Sequence, residues 1–592
     1  MNSYDAPIKD VVYNLYEVFK IDKLGIYNQE IVNRDMTSAI FDEANKLASQ
    51  TLFPLNLIGD VEGCNLKNGI VSTPTGFKEA FKIICEGGWP SLNCEQEFGG
   101  QGMPLSISTA IGEFFGSANV AFYIYCVLTH GAYSTILAHG SNEQKQTYLP
   151  KLVSCEWTGT MNLTEAQCGT DLRLIKTKAV EKNDGSYEIS GEKIYISAGD
   201  HDLSKNIIHL VLARIPGEPD GIKGLSLFIV PKLLETKDGT YNKKNNISVG
   251  KLENKMGIHG NATCLLNYDQ AKGFLLGEKN NGLRSMFTMM NEARLAVGIQ
   301  GLSQAEIAYQ QALFFAKDRL QGSSIEGIQK KRKDAEPIIV HPDVKRILLE
   351  QKTFIEGARA LALWTSILMD KEKLNNDQEC GGLANLLIPI VKGYITDKGF
   401  DTTVSCQQIF GGQGYVEDSG MSQYCRDSRI AMIYEGTNAI QAIDLISRKL
   451  PKNGGKDMLF LFSILNDFLN EINQIDDFDK SLIIPFENSY DDLKKALNFL
   501  VENGFKNPVA ALSGATDFMH LFGNFLIGFM WIKMALTSFK SEKDSKTSDN
   551  FHKGKILKAK FYMQKSAPET RFKLQKILSG EKTLMSLDTD CL

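Results

Sequence analysis

The chain has 592 residues, 43% hydrophobic and 23% charged, with a formal net charge of −5. That length supplies apolar residues for several cores, about three or four domains by size alone. The slight acidity excludes a broad basic face for nucleic acid, although not a local basic patch for a phosphorylated ligand. Eleven cysteines are present, without a CxxC pair or clustered histidines. This pattern predicts reduced thiols in a cytosol and no structural zinc site.

In chain order, the opening MNSYDAPIKDVVYNLYEVF carries Asp5, Asp10 and Glu17 and lacks the basic-then-apolar order of a signal peptide. Asp35 to Leu47 has Ile40, Ala44 and Leu47 at helical spacing. A helix over Thr75 to Ile84 and a Gly-rich loop from Gly87 to Gly102 follow. Gly131 to Leu152 predicts two helices broken near Gly140 and Ser141. Residues 1–156 are thus expected to be a helical domain.

Residues 157–280 change character and predict a compact antiparallel β-barrel or sandwich. Lys176–Val180 and Tyr187–Ile189 flank Asn183-Asp184-Gly185, a hairpin turn signal. Strands are expected at Lys193–Ser197, Ile207–Ala213, Leu225–Val230 and Thr263–Tyr268. Helical periodicity returns near Gly282, with Leu295, Ile299, Leu302, Ala305, Tyr309, Ala312 and Ala316 on one stripe. Further helices around Val344–Met369, Gly382–Thr403 and Thr437–Lys449 complete a bundle over 281–450. Pro451 to Lys456 is a breaker-rich linker, and 457–592 forms an additional helical domain. Its most apolar window, Phe518 to Thr537, contains His520, Asn524 and Lys533; these favour a bundle helix over a membrane span of roughly 20 apolar residues. Lys540 to Lys555 is charged and Ser-rich and predicts a loose loop. The fold class expected is therefore multidomain α+β in the order helical, β, helical, helical.

Five segments could carry chemistry. Met161 to Asp171, MNLTEAQCGTD, offers the Thr164 and Thr170 hydroxyls and the bare backbone of Gly169 to an acceptor-rich ligand, with Asp171 able to cap the turn. Lys193 to Gly199, KIYISAG, places Tyr195 and Ser197 on one strand face, a pairing that suits a flat heteroaromatic ring or a plain edge strand. Arg294, in Glu292-Ala293-Arg294 at the opening of the long helix, could meet an anion or a buried carboxylate. Gln408 to Tyr415, QIFGGQGY, offers glycine amides to a phosphate; it lacks GxGxxG spacing and a preceding strand, which excludes a Rossmann motif. Arg426 to Thr437, RDSRIAMIYEGT, holds Glu435, either an ordinary surface acid or a general base at the floor of a pocket. The histidines His130, His139, His209 and His520 are most economically core or helix-end residues. None lies in a nucleophile motif, and His201 is more simply a turn residue than a site residue.

In their order and spacing these segments resemble the acyl-CoA dehydrogenase family over roughly residues 35–450. MNLTEAQCGTD resembles its TEPxAGSD-type flavin loop and KIYISAG its KxWITNA-type strand. EARLAVGIQGLSQAEIAY, QIFGGQGY and RDSRIAMIYEGT follow at the family's separations. The helical block after 456, the opening segment and SAGDHDLSKNIIHLVLAR resemble an enlarged bacterial branch that includes 3-methylmercaptopropionyl-CoA and related fatty acyl-CoA dehydrogenases.

The resemblance implies non-covalent FAD and α,β-dehydrogenation of an acyl-CoA thioester to the trans-2-enoyl-CoA. It places Glu435 as the α-proton base, with hydride passing to flavin N5. Apolar neighbours such as Ile433 are expected to raise the Glu435 pKa. Met161, Leu163, Thr164, Gly169, Thr170, Ser197 and Thr437 fall on FAD contacts. Arg319, Gln408, Gly411 and Gly412 fall on positions for the diphosphate and adenosine end, commonly of a neighbouring subunit. Arg294 and Gly436 fall beside the acyl-CoA. Some relatives carry the base at the position of Ala293; Glu292, one residue away and rotated about 100°, is a poor second choice. Departures are Cys168 for Gly or Ala, Tyr195 for Trp or Phe, and Ser197 for Thr. The implied partners are electron-transferring flavoprotein and a second copy, as a homodimer or dimer of dimers, in a bacterial cytoplasm. The alternatives are an acyl-CoA oxidase passing electrons to O₂ and a non-catalytic acyl-CoA-binding relative.

Overall fold

The computed structural model of the chain describes residues 3–330, 334–544 and 549–591. It comprises two compact units, one of Glu43–Pro104 with Phe114–Ala296, the other of Met1–Asp42, Leu105–Glu113 and Val297–Leu592. The first contains the sheet and the second is helical, the α+β class expected from the sequence.

In the first unit a small hairpin, β1 (Asn65–Lys67) and β2 (Ile70–Ser72), precedes the main sheet. The later strands are β3 (Trp157–Asn162), β4 (Lys178–Glu181), β5 (Tyr187–Ser197), β6 (Asn206–Arg214), β7 (Leu225–Pro231), β8 (Leu233–Glu235), β9 (Tyr241–Lys244), β10 (Ile247–Leu252) and β11 (Thr263–Leu276). β11 pairs with β5, β5 with β4, β4 with β6, β6 with β7, and β7 returns to β11. Five strands thus close on themselves, and closure removes the edges that an open sheet would expose. β10 adds outside β11, β3 adds parallel to β6, and β8 pairs with β9. The barrel is antiparallel apart from the β3–β6 and β4–β6 pairings. Ile189, Val211, Phe228, Val230, Cys264 and Leu266 fill its core.

The hairpin turn lies where the sequence placed it. Gly185 has φ +78°, and the Asp184 carboxylate accepts from the Ser186 amide at 3.0 Å, a local bond that favours the turn. The strands expected at Tyr187–Ile189 and Lys193–Ser197 are one continuous strand, β5. Behind β3 lies a buried polar layer. Thr158 Oγ1 meets His201 Nε2 at 3.0 Å, Thr160 Oγ1 meets His209 Nδ1 at 2.7 Å, and Asn162 donates to Tyr268 OH at 2.6 Å. His201 is therefore a core residue, not an exposed turn residue.

Several helical boundaries differ from expectation for local reasons. Arg34–Leu47 is a helix, but its buried stripe is Thr37, Phe41 and Ala44, with Ile40 and Leu47 at its margins. The long Leu105–His139 segment, of which only the end was legible, is helical on either side of a kink at Asn119 and mostly apolar all round, so it carries little periodicity. The break after it is as expected: Ser141 and Gln144 form a reciprocal capping box for the Asn142–Val153 helix. The Lys540–Lys555 loop is much shorter than expected. The Ala515–Asp544 helix runs into it and the Asn550–Lys565 helix resumes within it, while 545–548 fall outside the described residues.

The Gly282–Asp318 helix, most of which belongs to the helical unit, buries the whole predicted stripe from Leu295 to Ala316. It meets Gln378–Ile409 at glycines: a Cβ on Gly301 would sit 2.8 Å from Thr396 Cα, and one on Gly399 2.5 Å from Gly301 O. The Ala515–Asp544 helix packs as closely, since a Cβ on Gly357 would sit 2.4 Å from Ile527 Cγ2. Leu105–His139 and Ala515–Lys543 are long and apolar enough to cross a membrane by length and composition, and 89% of each apolar window is buried in the structure.

A buried ion network ties this unit together. The fully buried Arg359 donates to Asp10 at 2.6 Å, Glu113 at 2.6 Å and Glu306 at 2.7 Å. The fully buried Lys555 bonds Asp10 and, at 2.8 Å, Glu356; Lys558 and Lys352 also pair with Glu356. Despite the opposing cost of burial, these lysines hold the Glu356 carboxyl well below its usual range.

Breaking a buried pair from one side leaves uncompensated charge and costs about 3–5 kcal/mol. Arg359→Met, which takes a shared cation from three carboxylates, is expected to lower the unfolding free energy obtained from urea denaturation by an amount in that range. A second expectation concerns acid. Burial lowers both His201 and His209 to about 3, against an ordinary value of about 6.5 in the unfolded chain. As pH falls from about 6.5 towards 3, the unfolded state takes up protons that the folded state refuses, so stability is lost on acidification. His209→Gln should flatten thermal-midpoint loss on acidification, removing a slope of up to about 1.4 kcal/mol per pH unit.

Candidate active site

The segments singled out in the sequence divide between the two units. In the sheet-bearing unit, the loop after β3 is folded around Glu165. Its amide donates to Cys168 O at 2.9 Å, and the Cys168 amide donates back at 3.0 Å. The Glu165 carboxylate is buried and accepts from Lys193 Nζ at 2.8 Å, Thr177 Oγ1 at 2.6 Å and the Lys176 amide at 2.7 Å. Burial alone would raise this carboxyl; Lys193 and the hydrogen bonds outweigh it and hold it at about 2. Lys193 also donates to Leu163 O at 2.9 Å, and the Ile194 amide donates to Thr164 O at 2.9 Å. The structure therefore brings the 161–171 loop and the 193–199 strand into one assembly. The sequence reading noted both segments but not the Glu165–Lys193 pair that joins them.

The anchor points inward and leaves the candidate ligand groups outside. Thr164 and Ser197 are half-buried, and Gly169 and Thr170 are exposed. A Cβ on Gly169 would meet only the Thr164 methyl, at 3.8 Å. Met161 and Leu163 are half-buried beside them, whereas Cys168 is buried, so its sulfur is absorbed by packing. Asp171 caps the loop as expected, accepting from the Arg173 amide at 3.1 Å. β5 is not an edge strand but lies between β4 and β11. Leu266 pairs with Lys193 and Cys264 with Ile196, so two β5 residues oppose one on β11. This bulge puts Tyr195 at φ +58° and 62% exposed; bulges of this kind re-aim side chains.

Arg294 does not lie near a helix start. The helix begins at Gly282, so Arg294 sits about three turns inside and beyond the reach of the terminal dipole. It is buried, 6.0 Å from the Phe287 ring. Ala293 is buried, and Glu292 Oε2 lies 3.2 Å from His130 Nδ1. Burial pushes the His130 imidazole down, but Cys94 and Glu292 outweigh it and hold it up at about 10. Glu292 is thus the counter-ion of a cationic histidine.

In the helical unit, the segment around Glu435 is a turn of two left-handed residues. Glu435 has φ +57° and Gly436 φ +80°, and a non-glycine residue there costs about 1–2 kcal/mol. Thr437 then caps the Asn438–Asp444 helix, its Oγ1 accepting from the Ile440 amide at 3.3 Å. The strained main chain is held by side chains: Gln441 Nε2 donates to Glu435 O at 3.0 Å, and Lys392 Nζ to Gly436 O at 2.8 Å. Glu435 is half-buried. Ile433, the apolar neighbour suggested by the sequence, is 46% exposed and gives no closed wall.

The last group lies at one end of the bundle. Phe315 stacks on Phe410 with centroids 4.2 Å apart, which sets the end of one long helix beside the glycine turn of another. Arg319, Gln408, Gly411 and Gly412 are all exposed there. A Cβ on Gly411 or Gly412 would meet nothing within 4 Å, so the space beside their main chain is open to a ligand.

Comparison with known proteins agrees with this architecture. Residues 68–156, 160–271 and 280–450 match the N-terminal, middle and C-terminal domains of acyl-CoA dehydrogenase, and 467–588 match an acetyl-CoA dehydrogenase C-terminal-like domain. The chain is 37% identical to 3-methylmercaptopropionyl-CoA dehydrogenase of Ruegeria pomeroyi, covering 99% of both chains. The chain belongs to the acyl-CoA dehydrogenase family. It is also 31% identical to the broad-specificity linear acyl-CoA dehydrogenase FadE5 of Mycobacterium tuberculosis, again over 99% of each. The solved acyl-CoA dehydrogenase of Bacillus anthracis complexed with FAD superposes with a TM-score of 0.71 at 22% identity, covering 98% of this chain and 91% of that one. As a member, the chain is an FAD-dependent oxidoreductase. The half-buried Thr164, the exposed Thr170 and the uncovered glycines 169, 411 and 412 fit such a ligand, which is rich in acceptors and carries a diphosphate.

Lys193→Met removes the cation beneath the loop while keeping its apolar stem. Loss of this charge-assisted support is expected to weaken FAD retention by about tenfold or more, equivalent to about 1.4 kcal/mol, read as the free-flavin dissociation constant by equilibrium dialysis.

Proposed function

We propose that the chain removes the α proton and β hydride of an acyl-CoA thioester, giving the trans-2-enoyl-CoA, with Glu435 as the base. The observation that carries this reading is the left-handed Glu435–Gly436 turn, held by Gln441 and Lys392. Strain of this kind persists only where the surroundings over-determine it, and it clusters at functional sites.

An α C–H next to a thioester carbonyl becomes removable as enolate charge on the carbonyl oxygen is stabilised. In this reading the Glu435 carboxylate takes the α proton and the C–H electron pair moves into the enolate. Collapse of the enolate back to the thioester carbonyl then forms the α,β double bond and expels the β hydrogen with its electron pair. Bound FAD supplies the hydride-accepting chemistry. Thr164, Thr170, Ser197 and Thr437 would hold that cofactor, with Met161, Leu163 and Gly169 lining it. Arg319, Gln408, Gly411 and Gly412 would hold its diphosphate and adenosine end. Arg294 and Gly436 would lie beside the acyl-CoA. Glu292 is set aside as base because His130 already holds it as a counter-ion.

Electron-transferring flavoprotein as acceptor, a homodimeric or tetrameric assembly and a cytoplasmic setting belong to the same proposal. The relatives act on a short sulfur-containing thioester and on linear acyl chains, and both classes are candidate substrates here.

Glu435→Gln is expected to retain FAD and acyl-CoA while losing at least about 100-fold, the scale of a missing general base, in anaerobic flavin bleaching by a panel of acyl-CoA thioesters. Wild-type bleaching by this variant would rule Glu435 out. Reoxidation of the wild-type enzyme by electron-transferring flavoprotein, without rapid oxygen uptake, is the expected behaviour of a dehydrogenase; fast peroxide formation would make it an oxidase.

A further inference from the structure

The Glu435 turn is backed by a continuous chain of polar side chains that ends in the additional helical block. Lys392, fully buried, donates to Gly436 O at 2.8 Å and to Asn438 Oδ1 at 2.8 Å. Asn438 Nδ2 donates to Asp397 Oδ1 at 2.6 Å and to Gly393 O at 3.0 Å. The other oxygen of Asp397 meets His520 Nε2 at 2.8 Å. His520 belongs to the Ala515–Asp544 helix, and its ring stands edge-on to Tyr394 at 5.4 Å.

Packing makes this chain stiff. A Cβ on Gly393 would sit 2.4 Å from Met519 Sδ and 3.5 Å from Gln441 Cβ. A Cβ on Gly523 would sit 2.3 Å from the Tyr394 ring. Residues 519–523 of one helix and 392–397 of the other therefore interlock at backbone contact, each with a glycine facing the other's large side chain. Gln441, which holds Glu435 O, closes the same layer.

We propose that Lys392, Asn438 and His520 are positioning residues for the reaction, and that one role of the additional helical block is to brace the base-bearing turn through His520 and Asp397. The inference rests on the assignment of Glu435 as base. The carboxylate of a residue held at φ +57° points where its main chain directs it, so release of Gly436 O lets the turn relax and moves the carboxylate away from the α carbon. Misplacement by about 1 Å costs about 100-fold in rate, with little effect on ligand binding.

The test compares Lys392→Met, His520→Phe, His520→Gln and Glu435→Gln in the full-length holoenzyme. The readouts are the limiting rate of anaerobic flavin reduction and the acyl-CoA concentration at half-saturation. Lys392→Met is expected to lower the limiting rate by about 100-fold and His520→Phe by about tenfold, with half-saturation and flavin content unchanged. His520→Gln, which keeps a donor for Asp397, should recover most of the rate. The His520 side chain is 17% exposed, unlike the fully buried Lys392, so these two variants keep the test open if Lys392→Met does not fold. Equal limiting rates in wild type, His520→Phe and Lys392→Met, with Glu435→Gln inactive, would overturn the positioning role and leave the base in place. Parallel loss of flavin and rate in both His520 variants would make the chain merely structural. An active Glu435→Gln would instead overturn the reading on which the inference rests.

Discussion

The helical unit depends on one arrangement of charge. Arg359 is surrounded by Asp10, Glu113 and Glu306, and Asp10 in turn reaches Lys555. An arginine suits the centre because its planar fork can serve several carboxylates at once, which a lysine cannot. A buried ion cluster adds little net stability compared with an apolar core of the same shape. What it contributes is register: only one placement of five distant segments satisfies every group, and the alternatives each leave a naked charge. The helix positions that follow, including those carrying Lys392 and Glu435, inherit that register.

The same device recurs at smaller scale in the sheet-bearing unit. Glu165 and Lys193 form a single buried pair with its own hydrogen-bond shell. The pair fixes a loop that has no regular secondary structure to a strand interrupted by a bulge. In the helical unit buried charge holds helices in register; in the sheet-bearing unit it holds irregular backbone. Each unit thus presents main chain in conformations that would be unfavourable in isolation, Tyr195 in one and Glu435 in the other, made permanent by side chains beneath them.

Much of this was legible in the sequence where the signal is local. The stripe from Leu295 to Ala316 announces its own helix, Asn183-Asp184-Gly185 its own turn, and Gly140 with Ser141 its own helix break. The two loops that meet at β5 were marked individually by their residue types. The features that bind them together were not, because they are agreements between distant residues. Glu165 with Lys193, Glu292 with His130, and Lys392 with Gly436 are ordinary residues until the fold pairs them. Backbone conformation was equally silent: nothing in YEGT distinguishes a left-handed glutamate from a helical one. The Leu105–His139 segment escaped for the opposite reason, since a helical stretch mostly apolar all round has no polar face to mark its period.

The bond between Asp10 and Lys555 joins residues 545 positions apart. During synthesis Asp10, and later Glu113 and Glu306, leave the ribosome long before this cation exists. Arg359 can gather them first, but Asp10 remains half-served until the Asn550–Lys565 helix arrives. Contacts of such high sequence separation form late and slowly, and partly assembled chains expose apolar surface in the interval. The helical unit is therefore sealed only once the Asn550–Lys565 helix has been made, and its vulnerable period in the cell is set by the time needed to make the intervening chain.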